Sequence, residues 1–207
     1  MIRALAERAD ALAAGGRAVV GIAGSPGAGK STLARWLVEE LEDGGTPAAV
    51  LPMDGFHLSA AELAERGLSA GKGAPETFDV DAYLALLREV RNGQGLAVMA
   101  PDYDRELHEV VPGRLMIGPR VRVVVTEGNY LGLDTPPWNR VAPLLDELWF
   151  VEAPWELARE RLIARRMATG RERDDAVAWV DSVDAANAAL IAPTVDRARV
   201  VLRPEDY

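Results

Sequence analysis

The sequence predicts a three-layer α/β/α fold around a mostly parallel central sheet, and three observations carry that expectation. Short runs rich in Val and Ile alternate with stretches of helical periodicity from residue 17 to the end of the chain. The strand runs are nearly continuous in apolar residues, as strands covered by helices on both faces must be. A glycine-rich turn joins the first of these strands directly to a helix.

The elements follow in order. Residues 1–16 read as an amphipathic helix, because Glu7 and Asp10 inside its apolar stretch exclude a secretory leader. A buried strand is expected at 17–24, a helix from Gly29 to about Leu41 and a second strand at 48–53. A short helix (60–67) and a longer one (80–91) come next, then an extended segment at 96–104. Residues 110–118 read as a hairpin turning at Pro112-Gly113. Strands at 121–128 and 147–153, helices at 154–169 and 176–190, and a last strand at 198–202 complete the pattern. No repeat, low-complexity tract or linker divides the chain, so residues 1–207 are expected to form one domain.

Composition excludes several classes. Thirty-two acidic against twenty-three basic residues give a net charge of −9, which argues against nucleic acid as a partner. The absence of cysteine removes disulfides, thiolate nucleophiles and zinc–thiolate clusters. No apolar run is long enough to span a bilayer, so a cytoplasmic protein with no membrane partner is expected, with a homodimer as the default assembly. Of the twenty-three basic residues only two are lysines, Lys30 and Lys72.

Lys30 falls in the segment Gly24-Ser25-Pro26-Gly27-Ala28-Gly29-Lys30-Ser31, which satisfies G-x-x-x-x-G-K-[ST] between a strand and a helix. Glycines let successive backbone N–H groups curl around phosphate oxygens, and the helix that opens at Lys30-Ser31-Thr32 adds its positive end. Lys30 is placed to reach the β- and γ-phosphates of ATP, and the Ser31 hydroxyl to ligate Mg²⁺. Chance supplies this pattern in roughly one chain in a thousand of this composition. An Asn-Lys-x-Asp guanine-reading motif cannot exist here, since Lys72 follows Gly71.

Ligands of open parallel sheets bind outside the carboxyl ends of the strands. The second strand ends there in Met53-Asp54-Gly55-Phe56-His57. Asp54 is placed either to accept the proton of an attacking hydroxyl or to form a turn with Gly55 and cap the helix that follows. Glu127 ends the Val-rich run 121–127, a position suited to holding Mg²⁺ directly or through water. His57, Asn129 and Tyr130 fall at the same edge as candidate acceptor contacts. Lys72, between two glycines, and Arg105 are candidates for an anionic group. The five tryptophans fall mostly in strands and helices and are expected to pack rather than stack on ligands.

The P-loop, Met53-Asp54-Gly55-Phe56-His57-Leu58, the stretch from Gly67 to Asp79, Pro101-Asp-Tyr-Asp-Arg-Glu-Leu-His108 and Thr126-Glu-Gly-Asn-Tyr-Leu131 together resemble the uridine kinase, phosphoribulokinase and pantothenate kinase family over roughly residues 17 to 200. The resemblance implies a P-loop NTPase fold with a small arginine-bearing helical lid, here at about 165–175, and ATP-dependent phosphorylation of a small-molecule hydroxyl. It makes Asp54 the catalytic base and Glu127 the Mg²⁺-associated carboxylate, and it matches Tyr103 and His108 to acceptor-binding positions. Lys72, Gly73, Pro75, Glu76 and Asp79 match a pantothenate-kinase stretch, whereas Arg105 stands where those enzymes have His. A nucleoside, a sugar and a pantothenate-like compound all remain acceptors; a nucleotide kinase and a regulatory P-loop ATPase are the alternatives. On the helix from Pro154, Arg161 and Arg165 share a face, and Arg166, Arg171 and Arg173 follow. Their guanidinium groups suit the charge of a transferring phosphoryl group, with Arg165 as the catalytic candidate and Arg166 and Arg171 as ATP contacts. Asp184 and Asn187 lie one turn apart on the next helix, within reach of the crevice.

Overall fold

Seven strands and seven α-helices follow one another in the computed structural model, which describes every residue except Gln94, Arg105, Glu106, His108 and Tyr207. In chain order they are α1 (Ile2–Leu12), β1 (Ala18–Gly24), α2 (Lys30–Asp43), β2 (Ala48–Pro52), α3 (Ala60–Glu65), α4 (Val80–Asn92), β3 (Val98–Asp104), β4 (Glu109–Ile117), β5 (Val123–Glu127), β6 (Glu147–Val151), α5 (Trp155–Ala168), α6 (Arg173–Trp179), α7 (Ala185–Ile191) and β7 (Val200–Leu202). Five strands form a parallel sheet in the order β2-β5-β1-β6-β7.

Alternation along these strands divides the core between the two faces. Val19, Val124, Leu148 and Phe150 point toward α4 and the aromatic cluster of Phe78, Tyr83, Tyr130 and Trp138. Their neighbours Val20, Ile22, Val123, Val125, Trp149 and Val151 pack on Leu5, Ala9, Leu33 and Leu37 of α1 and α2. Period-2 side chains buried on both faces are what produced the unbroken Val runs in the sequence. Leu162, Ile163, Ala176 and Val180 form a third, separate cluster between α5 and α6.

Helix starts are locally encoded. Ser59 and Glu62 form a reciprocal capping box at α3, and the Asp79 side chain accepts from the Ala82 N–H at 2.9 Å to open α4. The predicted hairpin is displaced. Pro112 and Gly113 lie inside β4, which pairs antiparallel with β3, and the chain reverses between Asp104 and Glu109. Ala100 pairs with Leu115 but Asp102 with Val111, so Pro112, Gly113 and Arg114 bulge opposite Pro101 alone. A proline lacks the N–H a ladder needs, and Gly113 takes φ +63°, so Pro-Gly here makes a bulge rather than a turn. The helix expected at 176–190 runs from Arg173 to Ile191, with a π turn at Val180–Asp184 between α6 and α7. Trp138 and Trp149 are buried as expected; Trp36 is exposed.

Candidate active site

Register brings the site together. Glu127, the last residue of β5, lies beside Ile22 of β1 and Pro52 of β2. The turn after β1, Glu127 and the turn carrying Asp54 therefore share one edge of the sheet. A buried relay stiffens that edge. The Thr126 hydroxyl donates to the Leu51 carbonyl at 2.7 Å, so the Tyr83 hydroxyl, 2.6 Å away, donates to Thr126. This chain ties α4, β5 and β2 one residue before Glu127. Burial holds the Tyr83 phenol well above its ordinary range, so it stays protonated.

The glycines of the loop 24–31 are forced by their surroundings. Gly24, Gly27 and Gly29 take φ of +148°, +76° and +111°. A Cβ on Gly24 would lie 2.5 Å from the Val151 carbonyl oxygen, and one on Gly27 2.6 Å from that of Ala158. Lys30 opens α2 and is 7% exposed; its Nζ donates to the Ser25 carbonyl at 3.0 Å and to Asn129 Oδ1 at 2.7 Å. The ammonium is thus held by carbonyl oxygens alongside the loop. Ser31 Oγ donates to Glu127 Oε1 at 2.8 Å, and Glu127 is 5% exposed. A hydroxyl and a carboxylate in contact form the hard oxygen set that Mg²⁺ accepts, and the buried nest with its lysine fits a nucleotide's phosphates. From α5, Arg161 Nη1 reaches the carbonyls of Gly27 and Ala28 at 3.4 and 3.3 Å, a contact that helical spacing alone did not single out.

Asp54 lies in a 3-10 turn, Met53–Phe56, directly after β2. Its carbonyl accepts from the His57 backbone N–H (3.3 Å) and from His57 Nδ1 (2.8 Å), so that ring nitrogen carries the proton. The His57 ring lies 4.0 Å from the Phe78 ring and 5.0 Å from that of Tyr103, while Lys72 Nζ sits 5.1 Å over the Tyr103 ring. His57, Lys72 and Tyr103 therefore gather on one wall beside Asp54. Arg105 and His108 lie outside the described residues.

Asn129, a candidate acceptor contact, accepts from Lys30 Nζ through its Oδ1. Tyr130 is fully buried and donates its hydroxyl to the Gly73 carbonyl, which also accepts from Asn187 Nδ2 at 3.3 Å. Burial, then the charges of Glu76, Asp184 and Asp54, keep the Tyr130 phenol protonated. Glu76 thus joins the acidic surroundings of Tyr130, although nothing but its place in the Lys72–Asp79 stretch pointed to it.

The arginines at the end of α5 and just beyond it separate. Arg165 and Arg171 are exposed, whereas Arg166 lies 4.5 Å over the Trp179 ring, with its Nε 3.8 Å from Asp184 Oδ2. Among the described residues, no helix is long and apolar enough to cross a membrane.

Comparison with known proteins agrees with this geometry. Residues 19–204 match the model of the Phosphoribulokinase / Uridine kinase family. The crystal structure of a Silicibacter sp. TM1040 protein, provisionally described as a fructose transport system kinase, superposes with a TM-score of 0.90 at 36% identity and covers 98% of both chains. An uncharacterised Escherichia coli K12 protein is 37% identical over 188 residues, covering 90% of this chain and 77% of its own. A provisionally named uridine kinase of Schizosaccharomyces pombe is 30% identical over 195 residues, covering 90% and 83%. The nucleotide cradle, the strand-end carboxylates and this match over nearly the whole chain agree: the protein belongs to the phosphoribulokinase/uridine kinase family of P-loop small-molecule kinases.

Proposed function

We propose that the protein transfers the γ-phosphoryl group of ATP to a hydroxyl of a small polyhydroxylated acceptor, a sugar or a nucleoside, ahead of a pantothenate-like compound. The observation that carries this reading is the shared sheet edge, where the Lys30 cradle and the Ser31–Glu127 pair stand beside Asp54 and the wall of His57, Tyr103 and Lys72. The Silicibacter relative's description points to a sugar and the Schizosaccharomyces name to a nucleoside, so both belong in the test.

Asp54 accepts the proton of the attacking hydroxyl, and Lys30 holds the β- and γ-phosphates in line with it. Asn129 and the Ser25 carbonyl fix the ammonium, so little reorganisation accompanies transfer. Ser31 and Glu127 would hold a Mg²⁺ ion, which when bound would supply charge neutralisation at the phosphates. Arg161 braces the loop, and Arg165 and Arg171, on a lid spanning about 165–175, close over the nucleotide. His57 and Tyr103 position the acceptor ring, and Lys72 fixes its polar end. The reading carries a single domain over residues 1–207, a cytoplasmic location and a homodimer.

ATP consumption measured against a panel of sugars, nucleosides and pantothenate tests the assignment. The acceptor found should lose about 10³-fold or more in turnover in Asp54→Asn, with ATP affinity nearly unchanged. Undiminished turnover in that variant refutes the base assignment. ATP hydrolysis stimulated by a protein and by no hydroxylic compound would instead establish a regulatory ATPase.

A further inference from the structure

Two buried polar atoms lack a hydrogen bond among the described residues, Asp184 Oδ2 and Trp179 Nε1, one on the last residue of the π turn that joins α6 to α7 and the other on the residue before it. An extra residue in a helical turn re-aims the side chains around it, and a buried carboxylate oxygen left without a donor is costly. Asp184 is 9% exposed and forms an ion pair with Arg166, whose Nε at 3.8 Å lies beyond hydrogen-bond length. Arg166 is held off by its place over the Trp179 ring.

The same helix reaches the other half of the site. Asn187, three residues on and so on the same face as Asp184, donates to the Gly73 carbonyl that Tyr130 also holds. Gly73 adjoins Lys72 and opens the segment that carries Glu76. Arg159 and Asp181 clamp α5 to the π turn through two bonds of 2.6 and 2.8 Å, so movement of α5 is transmitted to this turn. The packing between α5 and α6 is a cluster separate from both main cores, and α5 also meets the loop 24–31 through Arg161, so the pair is coupled to that loop.

We propose that Asp184 is a positioning residue for phosphoryl transfer: on lid closure it takes up the Arg166 guanidinium and, with Asn187 on the same helix face, links that closure to the Gly73 segment on the acceptor side. This rests on the kinase reading. The unmade hydrogen bond is the one the closed arrangement forms, and Trp179, released from Arg166, reports the change.

The experiment uses the full chain and the non-hydrolysable Mg·AMP-PNP as probe, with Trp179 emission isolated by subtracting the Trp179→Phe variant. Calorimetry measures nucleotide affinity in parallel. The wild type is expected to show a nucleotide-dependent Trp179 signal. Asp184→Asn should lose most of it and about tenfold or more in acceptor-dependent turnover, with affinity within about threefold of wild type. Asp184→Glu should restore part of both. The Asp184→Asn/Arg166→Gln double variant should be no worse than the poorer single variant, because one interaction is removed twice. A full Trp179 signal and turnover in Asp184→Asn overturns the proposal. Additive losses in the double variant, or a lower melting temperature that accounts for the loss, make Asp184 merely structural and overturn it too. A wild-type chain that binds no nucleotide overturns the kinase reading together with this inference.

Discussion

Gly55 offers a sharp test of how the site is assembled, because its backbone makes no demand for glycine. Its φ is not positive, so alanine is conformationally acceptable there. The obstacle is the β3–β4 hairpin. A Cβ on Gly55 would lie 2.8 Å from the Pro101 carbonyl carbon, closer still to its oxygen, and 3.2 Å from the Asp102 nitrogen. Contact between carbon atoms is comfortable at about 3.5 Å, so the hairpin must retreat by about 0.7 Å. Neither neighbour is a flexible side chain end; both are backbone of a paired strand, which cannot yield alone. Overpacking of this kind costs about 1–3 kcal/mol. For a chain of this size that lowers the melting temperature by about 2–12 °C.

The functional consequence is separable. Asp54 precedes Gly55, and Tyr103 lies on the displaced strand, so the proposed base and the proposed acceptor wall move apart. A misplacement approaching 1 Å costs up to about 10²-fold in turnover. The nucleotide cradle lies between β1 and α2, and its affinity for ATP should stay within about twofold. Thermal melts and calorimetry with Mg·ATP on Gly55→Ala decide the matter. A melting temperature within about 1 °C of the wild type, or ATP affinity lost in step with stability, refutes the reasoning.

Four further outcomes are expected. Lys30→Ala should weaken ATP binding at least tenfold, by about 1.4 kcal/mol or more, because it removes the cradle's cation and strands Asn129; calorimetry reads it. Tyr83→Phe should cost about 1–2 kcal/mol in denaturant melts, since Thr126 keeps its bond to Leu51 but loses its donor. Arg17→Met should cost about 2–4 kcal/mol, because the guanidinium serves the carbonyls of Val90, Gly118 and Val121 at 2.9–3.0 Å at the edge of the core; a neutral result would show that water replaces it. Asp184→Asn should melt no lower than the wild type at neutral pH, and the gap between them should close on acidification.

The parallel sheet was legible because its signal is local and redundant. Each strand needs apolar residues on both faces, and the glycine, lysine and serine of the loop 24–31 cannot be spread over other residues and still cradle phosphate. Asp54 and Glu127 were legible for a topological reason, since a strand's last residues must lie at the ligand edge. The β3–β4 pairing was misread because Pro-Gly encodes a turn and a bulge equally well, and only the partner strand decides between them. The contact of Asn129 with Lys30 depends on the pairing of β1 with β5, which no local pattern contains. Arg166 and Arg165 are neighbours with similar chemistry, yet one lies over Trp179 and the other is exposed, because helical rotation of 100° per residue separates their faces.

Asp184 shows why such a residue has to be read from three dimensions. Its pKa is raised, first by burial, and the attraction of Arg166 and Arg165 does not fully oppose this. Burial therefore penalises the ionised carboxylate in the folded protein relative to the unfolded chain. An acid whose folded pKa lies above its unfolded value lowers stability at pH above both values, and the penalty fades as pH falls through the folded pKa. Asparagine, neutral and nearly the same shape, escapes it, so the variant's advantage is greatest near neutral pH and shrinks in acid. If the amide folds at least as well, stability does not account for the carboxylate, and what its charge does must. Here the carboxylate is paired with a guanidinium beyond hydrogen-bond length, at the end of the π turn whose helix also reaches the Gly73 carbonyl. A wild-type chain that melts higher than Asp184→Asn at neutral pH would reverse this argument, because the carboxylate would then be a structural ion pair with Arg166 and nothing more.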